Sequence, residues 1–165
     1  MKVITFSIGA RWCAMAVDQL VEILPGRELL SLPSNGPNGD APGGMDTVGM
    51  IDYRGKAIPV RRLHLDQSGH AGGDREQSDG PQRRRFLVLG GGPPKALEVN
   101  RVGAVVELDD QSIQPSGEVG LADHPVIAGV CRLNDAYAFV INGAALTEDR
   151  GVAGGRGGVR GASNG

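Results

Sequence analysis

The histidines and cysteines are the first residues to test for chemistry, because they supply most catalytic nucleophiles, general bases and zinc ligands. His64, His70 and His124 lie far apart and have no partner at helical i, i+4 or CxxC spacing. Cys13 and Cys131 each stand in an apolar stretch, which is typical of a buried thiol that packs as a small hydrophobe. The sequence therefore predicts neither a zinc site nor a cysteine nucleophile, and we expect no enzyme and no cofactor.

A glycine run, Gly90 to Gly92, followed by Lys95, has the composition of a phosphate-binding loop. A true phosphate-binding loop places Ser or Thr after the lysine and opens a helix, whereas two prolines and a further apolar run surround this lysine. The segment is better interpreted as a hairpin turn.

Arginines form the remaining candidate site, at Arg61 and Arg62, at Arg83, Arg84 and Arg85, and in the Arg-Gly tail. They are either nucleic-acid contacts of a small-barrel protein or solvated charges at loop ends. The net charge of −2 gives no broad cationic field, and the few aromatic residues are not interleaved with the basic ones as a base-stacking platform requires. We therefore keep nucleic-acid binding through Arg83–Arg85 and the tail as the alternative function only.

Short apolar runs bounded by Gly, Pro, Asp or charged residues dominate the chain and predict β-strands. Ten such runs occur, at residues 3–8, 12–17, 21–24, 48–53, 57–63, 86–89, 95–99, 103–108, 127–133 and 136–141. Two segments, 17–20 and 142–146, each favour one helical turn. An all-β fold with short helical turns is the expectation.

The second half of the chain aligns with the first at an offset of about eighty residues. The matched segments are 14–20 with 96–102, 23–24 with 105–106, Pro33 with Pro115, 48–51 with 128–131, and 56–60 with 136–140. A chance match between β segments is the alternative, but the order of five segments is kept. Two small five-stranded barrels packed together would bury surface that one half alone leaves exposed.

Three polar, turn-rich segments fall outside the repeat: residues 34–44 and 66–82, expected to be mobile loops, and 148–165, expected to be a disordered Gly/Arg tail. We predict one domain over 1–147, with subdomains at about 10–65 and 85–140 that the N-terminal strand and the C-terminal helical turn complete. No signal-peptide pattern and no long apolar span is seen, so we expect a cytoplasmic protein without membrane insertion.

The segment Val48-Gly49-Met50-Ile51-Asp52-Tyr53-Arg54-Gly55-Lys56-Ala57-Ile58-Pro59-Val60 resembles the G-x-x-x-x-R-G-x-x-x-P-V signature of CheW-like domains. The segments 13–23 and 97–102 resemble the opening strands of the family and their second copy, so that the resemblance covers roughly residues 2–147. It implies an all-β fold of two SH3-like five-stranded β-barrel subdomains packed together.

The resemblance also implies a function without catalysis. CheW-like proteins are chemotaxis adaptors that couple the cytoplasmic tips of chemoreceptors to the regulatory domain of a CheA-type histidine kinase. The expected partners are therefore this kinase domain and the receptor tips, and the expected location is the cytoplasm, at receptor arrays on the inner face of the membrane.

Four positions match the receptor-facing surface of the family: Leu20, Glu22, Gly49 and Arg54. Arg54 would sit at a hairpin tip before Gly55, with Glu22 as a candidate ion-pair partner. Gly49 would allow close backbone approach or mark a strand bulge, and Leu20 is equally suited to core and interface.

The chain departs from the family where Arg61-Arg62 replaces a usual acidic residue and where Asn100 replaces an acid in the second half. These changes suggest an accessory pathway serving pili, surface sensing or development. The second copy carries Asn134-Asp135 in place of Arg54-Gly55. We therefore expect coupling mainly on the first barrel and at the groove between the barrels.

Overall fold

The computed structural model describes residues 1–30, 45–65, 84–122 and 124–147, which form eleven strands and a short helix. The strands are β1 (Lys2–Ile8), β2 (Arg11–Ala16), β3 (Leu20–Pro25), β4 (Met45–Tyr53), β5 (Lys56–Leu63), β6 (Arg85–Leu89), β7 (Lys95–Val99), β8 (Arg101–Glu107), β9 (Gln114–Pro115), β10 (Ile127–Leu133) and β11 (Ala136–Ile141). Helix α1 spans Gly143–Thr147, and 3-10 turns lie at Val17–Gln19 and Asp110–Ser112.

The all-β prediction is confirmed, and each of the ten predicted runs falls on an observed strand. Both predicted helical turns also form. The sequence missed the two-residue strand β9 because Gln114 and Pro115 carry no apolar signal, and it forms only by pairing with Gly129 and Val130 of β10. The predicted loops 34–44 and 66–82, the tail 148–165, His70 and Arg83 lie outside the described residues.

The strands form two sheets, which we call lobe 1 and lobe 2, and five strands follow in the same order in both, with β9 added at the edge of lobe 2. Lobe 1 has the order β3-β6-β7-β5-β4, and lobe 2 has the order β8-β1-β2-β11-β10-β9. The hairpin β1–β2 therefore belongs to the lobe built mainly from the second half of the chain, and β6–β7 belongs to lobe 1. The two sheets divide the chain differently from the expected subdomains at 10–65 and 85–140, because each half contributes a hairpin to the other lobe.

Burial explains this exchange of hairpins. Strands β1 and β6 are buried on both faces over most of their length, so neither can lie at the outside of the molecule. One face of each packs into a core shared by the two lobes, to which β2 and β7 also contribute Met15 and Leu97. The opposite faces fill the interior of one lobe, where Phe86 lies in lobe 1 and Val3 in lobe 2. Removing these apolar surfaces from water is the main stabilising contribution.

The chain crosses between the lobes twice, and each crossing segment is hydrogen-bonded to the tip of a hairpin. At the first crossing, the Gly90 N–H donates to the Gln19 carbonyl at 3.1 Å. At the second, the Asn100 N–H donates to the Ser7 carbonyl at 2.9 Å. The Gly9 N–H also donates to Asn100 Oδ1 at 2.7 Å. These hydrogen bonds fix how the lobes sit against each other.

Helix α1 closes one side of the shared core with Leu146, which is fully buried. Its first backbone N–H, from Gly143, donates to Gln19 Oε1 at 2.9 Å. At its other end, the buried Lys95 Nζ donates to the Thr147 carbonyl at 2.8 Å, placing a cation where a helix leaves carbonyls without partners.

Candidate functional site

The turn between β4 and β5 holds Arg54 in an unusual backbone conformation. Arg54 has φ of 53° and Gly55 has φ of 81°, as a two-residue hairpin turn with both central residues left-handed requires. Such turns favour Asn, Asp and Gly, since other side chains crowd their own backbone there. The equivalent residue of lobe 2, Asn134, also has φ of 53° and is of the preferred type. An arginine at this position is therefore a local exception.

The Arg54 side chain lies over the Tyr53 ring, with its guanidinium carbon 5.2 Å from the ring centroid. Its Nη2 lies 3.4 Å from Glu22 Oε2 on β3, so that the pair spans the gap between β3 and the β4–β5 turn. The Arg54 side chain is 74% exposed and that of Glu22 is 40% exposed. Partial desolvation and a hydrogen bond to Glu22 raise the pKa of the Tyr53 phenol. We call Glu22, Tyr53 and Arg54 the arginine cluster.

The structure brings two of the four predicted site residues together, Glu22 and Arg54. Leu20 is half-buried and packs against the shared core. Gly49 is buried, and a Cβ built there would lie 2.9 Å from the Leu30 carbonyl oxygen, so the backbone that approaches it closely belongs to the chain itself. Leu20 and Gly49 therefore contact the protein interior.

Gly49 has a counterpart that explains its role. Gly129 of lobe 2 meets the Gln114 carbonyl oxygen in the same way, and each glycine follows a register shift in its strand. The predicted strand bulge is thus present just before Gly49. In both lobes, glycine lets a returning segment cross close to the sheet, in lobe 1 through paired backbone hydrogen bonds between Leu30 and Met50.

Sequence reasoning missed one member of the arginine cluster, Tyr53, and the exposed apolar residues of lobe 1. Tyr53 lies within the signature but was not singled out, although its position next to the arginine could have identified it. Three apolar side chains of lobe 1 and its connections are also exposed, namely Val21, Ile23 and Leu30. Val21 and Ile23 flank Glu22 in the sequence of β3, so their side chains lie on the face of the strand opposite to Glu22.

Three of the other candidates for chemistry, Cys13, Cys131 and His124, are buried in the protein interior. Burial raises the pKa of the Cys13 thiol to about 12 and also raises that of Cys131, so neither is poised as a thiolate nucleophile. Burial lowers the pKa of His124, whose Nδ1 accepts the Val126 N–H at 3.4 Å. Across the described ranges, no three His, Cys, Asp or Glu residues group closely enough to hold a metal ion.

Two of the arginines considered as nucleic-acid contacts, Arg62 and Arg84, form an ion cluster with Glu98 within lobe 1. Arg62 Nη2 contacts both carboxylate oxygens of Glu98, at 3.1 and 3.2 Å, and Arg84 Nη1 lies 3.4 Å from the same group. Glu98 is only 10% exposed. The basic residue that departs from the family pattern at position 62 is thus neutralised by Glu98, and Arg84 is engaged by the same carboxylate.

No helix among the described residues is long and apolar enough to cross a membrane.

The comparisons with known proteins agree with the fold. No curated protein sequence matches the chain. The crystal structure of the scaffolding protein TtCheW from Thermoanaerobacter tengcongensis is similar, with a TM-score of 0.65 and 22% identity over 86% of this chain and 83% of that chain. The model of the CheW-like domain family matches residues 2–151. Since that match spans nearly the whole chain, the protein belongs to the CheW-like domain family of chemotaxis scaffold and adaptor modules.

Proposed function

We propose that this protein is a non-catalytic adaptor that couples chemoreceptors to the regulatory domain of a CheA-type histidine kinase. The observation that carries the proposal is the arginine cluster, in which an exposed guanidinium is held in place by an aromatic ring and a carboxylate. Family membership supplies the class of partner. The location we propose is the cytoplasmic face of receptor arrays.

The cluster suits recognition because Arg54 is ordered before a partner arrives. Stacking on Tyr53 and pairing with Glu22 restrict a side chain that otherwise loses about 2 kcal/mol of rotamer entropy when it is fixed. The Glu22 contact uses Nη2, and a guanidinium has further N–H groups that can bind a carboxylate or backbone carbonyl of a partner. Val21 and Ile23 are exposed on the opposite face of β3 and offer a separate apolar surface on the same strand.

Leu20 and Gly49 support the arginine cluster from the protein interior. Leu20 anchors the start of β3 to the shared core, and Gly49 lets Leu30 cross close to β4. Both strands carry part of the arginine cluster. We therefore propose Leu20 and Gly49 as positioning residues of the same site, which act without touching the partner.

Retention of purified partners tests the coupling role. A receptor cytoplasmic fragment and a kinase regulatory domain should each be retained by the immobilised protein at tens of micromolar. Failure to retain either would contradict the adaptor role even with the fold intact.

A charge reversal tests the cluster itself. Arg54→Glu should weaken receptor retention by about tenfold or more, because it removes the guanidinium and places a second acid beside Glu22. Arg101→Glu, an exposed charge reversal on β8 of lobe 2, is the matched control and should leave receptor retention unchanged. Equal loss in both variants would mean that net charge, and not the cluster, determines binding.

The most specific part of the proposal is the signalling pathway in which the protein acts. We propose an accessory pathway serving pili, surface sensing or development, on the basis of the departures from the family pattern at Arg61, Arg62 and Asn100. A kinase gene beside this one that belongs to a flagellar system would contradict it.

A further inference from the structure

The chain contains four Asn-Gly pairs, and one of them, Asn142-Gly143, stands at the start of helix α1. Asparagine followed by glycine is the pair most prone to deamidation, because glycine has no Cβ to hinder attack on the asparagine side chain. The other three pairs, at 35–36, 38–39 and 164–165, lie outside the described residues. Asn142-Gly143 is therefore the pair whose packing bears on this reaction.

Packing explains why this labile pair stands at the start of α1. Asn142 caps the helix, since its Oδ1 accepts the Ala144 N–H at 3.2 Å and asparagine is a preferred residue at that position. Gly143 is buried, and a Cβ built there would lie 2.6 Å from Gln19 Oε1 and 3.0 Å from Met15 Sδ. Any larger residue would require these side chains to move. The fold thus favours both asparagine and glycine here.

Deamidation of asparagine begins at the backbone nitrogen of the next residue. Here the Gly143 nitrogen would lose its proton to hydroxide and attack Cγ of Asn142, which releases ammonia and closes a succinimide ring. Water then opens the ring at either carbonyl and leaves aspartate or isoaspartate. In isoaspartate the main chain runs through the side-chain carbon, so a methylene is added to the backbone just before α1.

Gln19 holds the attacking nitrogen in a state that opposes the first step. The Gly143 N–H donates to Gln19 Oε1 at 2.9 Å. Loss of the proton would break this hydrogen bond and leave an anionic nitrogen facing an oxygen lone pair in a partly buried position, where charges are poorly screened. The Asn142 amide is in turn engaged by the Ala144 N–H. Both reacting groups therefore make hydrogen bonds that the reaction must break.

Gln19 is itself fixed at the contact between the lobes. Its carbonyl accepts the Gly90 N–H at the first crossing, at 3.1 Å. Two turns of contact are thus joined at this residue, since its side chain holds α1 and its backbone holds the crossing segment. Leu146 anchors the rest of the helix in the shared core, where it is fully buried. The Gly143 nitrogen is therefore freed only when the first turn of α1 separates from Gln19.

We propose that Asn142 is a deamidation site that Gln19 keeps unreactive while α1 is packed on the shared core. Local opening of α1 exposes the pair, and the isoaspartate that forms then hinders repacking of the helix because its backbone is longer. Deamidation at this position is a covalent record of opening at the contact between the lobes. The inference concerns α1 and not the arginine cluster, so it goes beyond the proposed function and does not depend on it.

Peptide mapping of the full-length protein after incubation at mildly alkaline pH measures aspartate and isoaspartate at position 142. In denaturing guanidinium chloride, Asn35 and Asn38 of the same chain give the reference rate for an Asn-Gly pair in an unfolded segment. Asn142 should deamidate at least about tenfold more slowly in the folded protein than in the denaturant, since the reaction then requires local opening. Equal rates at Asn142 in the two conditions would overturn the proposal.

Variants at Gln19 assign the protection to its oxygen. Gln19→Leu should raise the rate at Asn142 in the folded protein by about tenfold, because no acceptor holds the Gly143 N–H. Gln19→Glu retains an acceptor and should stay as slow as the wild type. Gln111→Leu, at an exposed glutamine of the other 3-10 turn, is the matched control and should also stay slow.

Hydrogen exchange of the Gly143 amide tests the same contact in the wild type without any substitution, and it should be slow. This measurement decides the matter if urea unfolding shows that Gln19→Leu has lost its fold. A folded Gln19→Leu variant as slow as the wild type, a Gln19→Glu variant as fast as Gln19→Leu, or an unprotected Gly143 amide would each overturn the proposal.

Discussion

Lobe 1 and lobe 2 have the same strand topology but differ in what fills them and in what they present. The interior of lobe 1 contains Ile58 and Phe86, where lobe 2 has Ala138 and Val3. Lobe 1 also contains the Glu98 ion cluster, whereas Ala16 takes the position of Glu98 in lobe 2. Duplication thus preserved the backbone pattern, while burial and charge diverged. A fold built in this way can keep one scaffold and carry two different surfaces.

The largest expected difference between the lobes concerns their interiors. Phe86→Ala should lower the free energy of unfolding by about 3–5 kcal/mol, since it removes a fully buried ring and leaves a cavity. Val3→Ala at the equivalent position of lobe 2 should cost only about 2 kcal/mol, because two methyl groups are removed. Urea unfolding monitored by circular dichroism measures both values. Equal losses would show that lobe 2 depends on its smaller core as strongly as lobe 1 depends on its larger one.

The ion cluster provides the second comparison. Glu98→Gln should lower the free energy of unfolding by about 2–3 kcal/mol, because Arg62 and Arg84 would lose the carboxylate that neutralises them. The double variant Glu98→Ala with Arg62→Asn introduces the lobe-2 residues at these two positions. It should lose less free energy of unfolding than Glu98→Gln, because one of the two arginines left without the carboxylate is removed as well. A double variant less stable than Glu98→Gln would mean that the side chains stabilise lobe 1 mainly by packing.

The third prediction concerns pH and a residue of lobe 2, His124. Burial lowers its pKa in the folded protein below the ordinary value of 6.5, so the unfolded chain binds the proton more readily. The contribution of His124 to stability is therefore constant above pH 6.5 and falls as the pH decreases through that value. Thermal unfolding of the wild type and of His124→Gln at pH 7.5 and at about pH 5.5 measures the effect. The wild type should lose more stability than the variant on acidification, and parallel losses would exclude His124 as the cause.

The smallest expected effects concern the β4–β5 and β10–β11 turns, where the variants distinguish a role in folding from a role in binding. Arg54→Asn should change the free energy of unfolding by no more than about 1 kcal/mol, since relief of the left-handed backbone offsets loss of an exposed ion pair. Asn134→Arg should lower it by about 1 kcal/mol, because it introduces that strain into lobe 2. Urea midpoints measure both changes, and receptor retention measures the function of the first. Arg54→Asn should lose receptor binding while remaining folded, and a large loss of stability would make Arg54 a structural residue.

The sequence predicted the strands well because alternating apolar runs bounded by Gly, Pro and charged residues depend on local chemistry. It predicted Arg54 at a hairpin tip for the same reason, since Gly55 follows it directly. It could not separate core from surface for Leu20 or identify what approaches Gly49. Both answers depend on segments distant in the chain, the shared core in one case and Leu30 in the other.

The sequence by itself determined the β class, the duplication and the family resemblance, because these follow from the order and spacing of residue types along the chain. Only the tertiary structure decided that the hairpins β1–β2 and β6–β7 exchange lobes. The physical reason is that strands β1 and β6, buried on both faces over most of their length, must lie between two packed layers. The same packing confirms the predicted pairing of Glu22 with Arg54 and joins Arg62 to Glu98, a pair that the sequence did not predict.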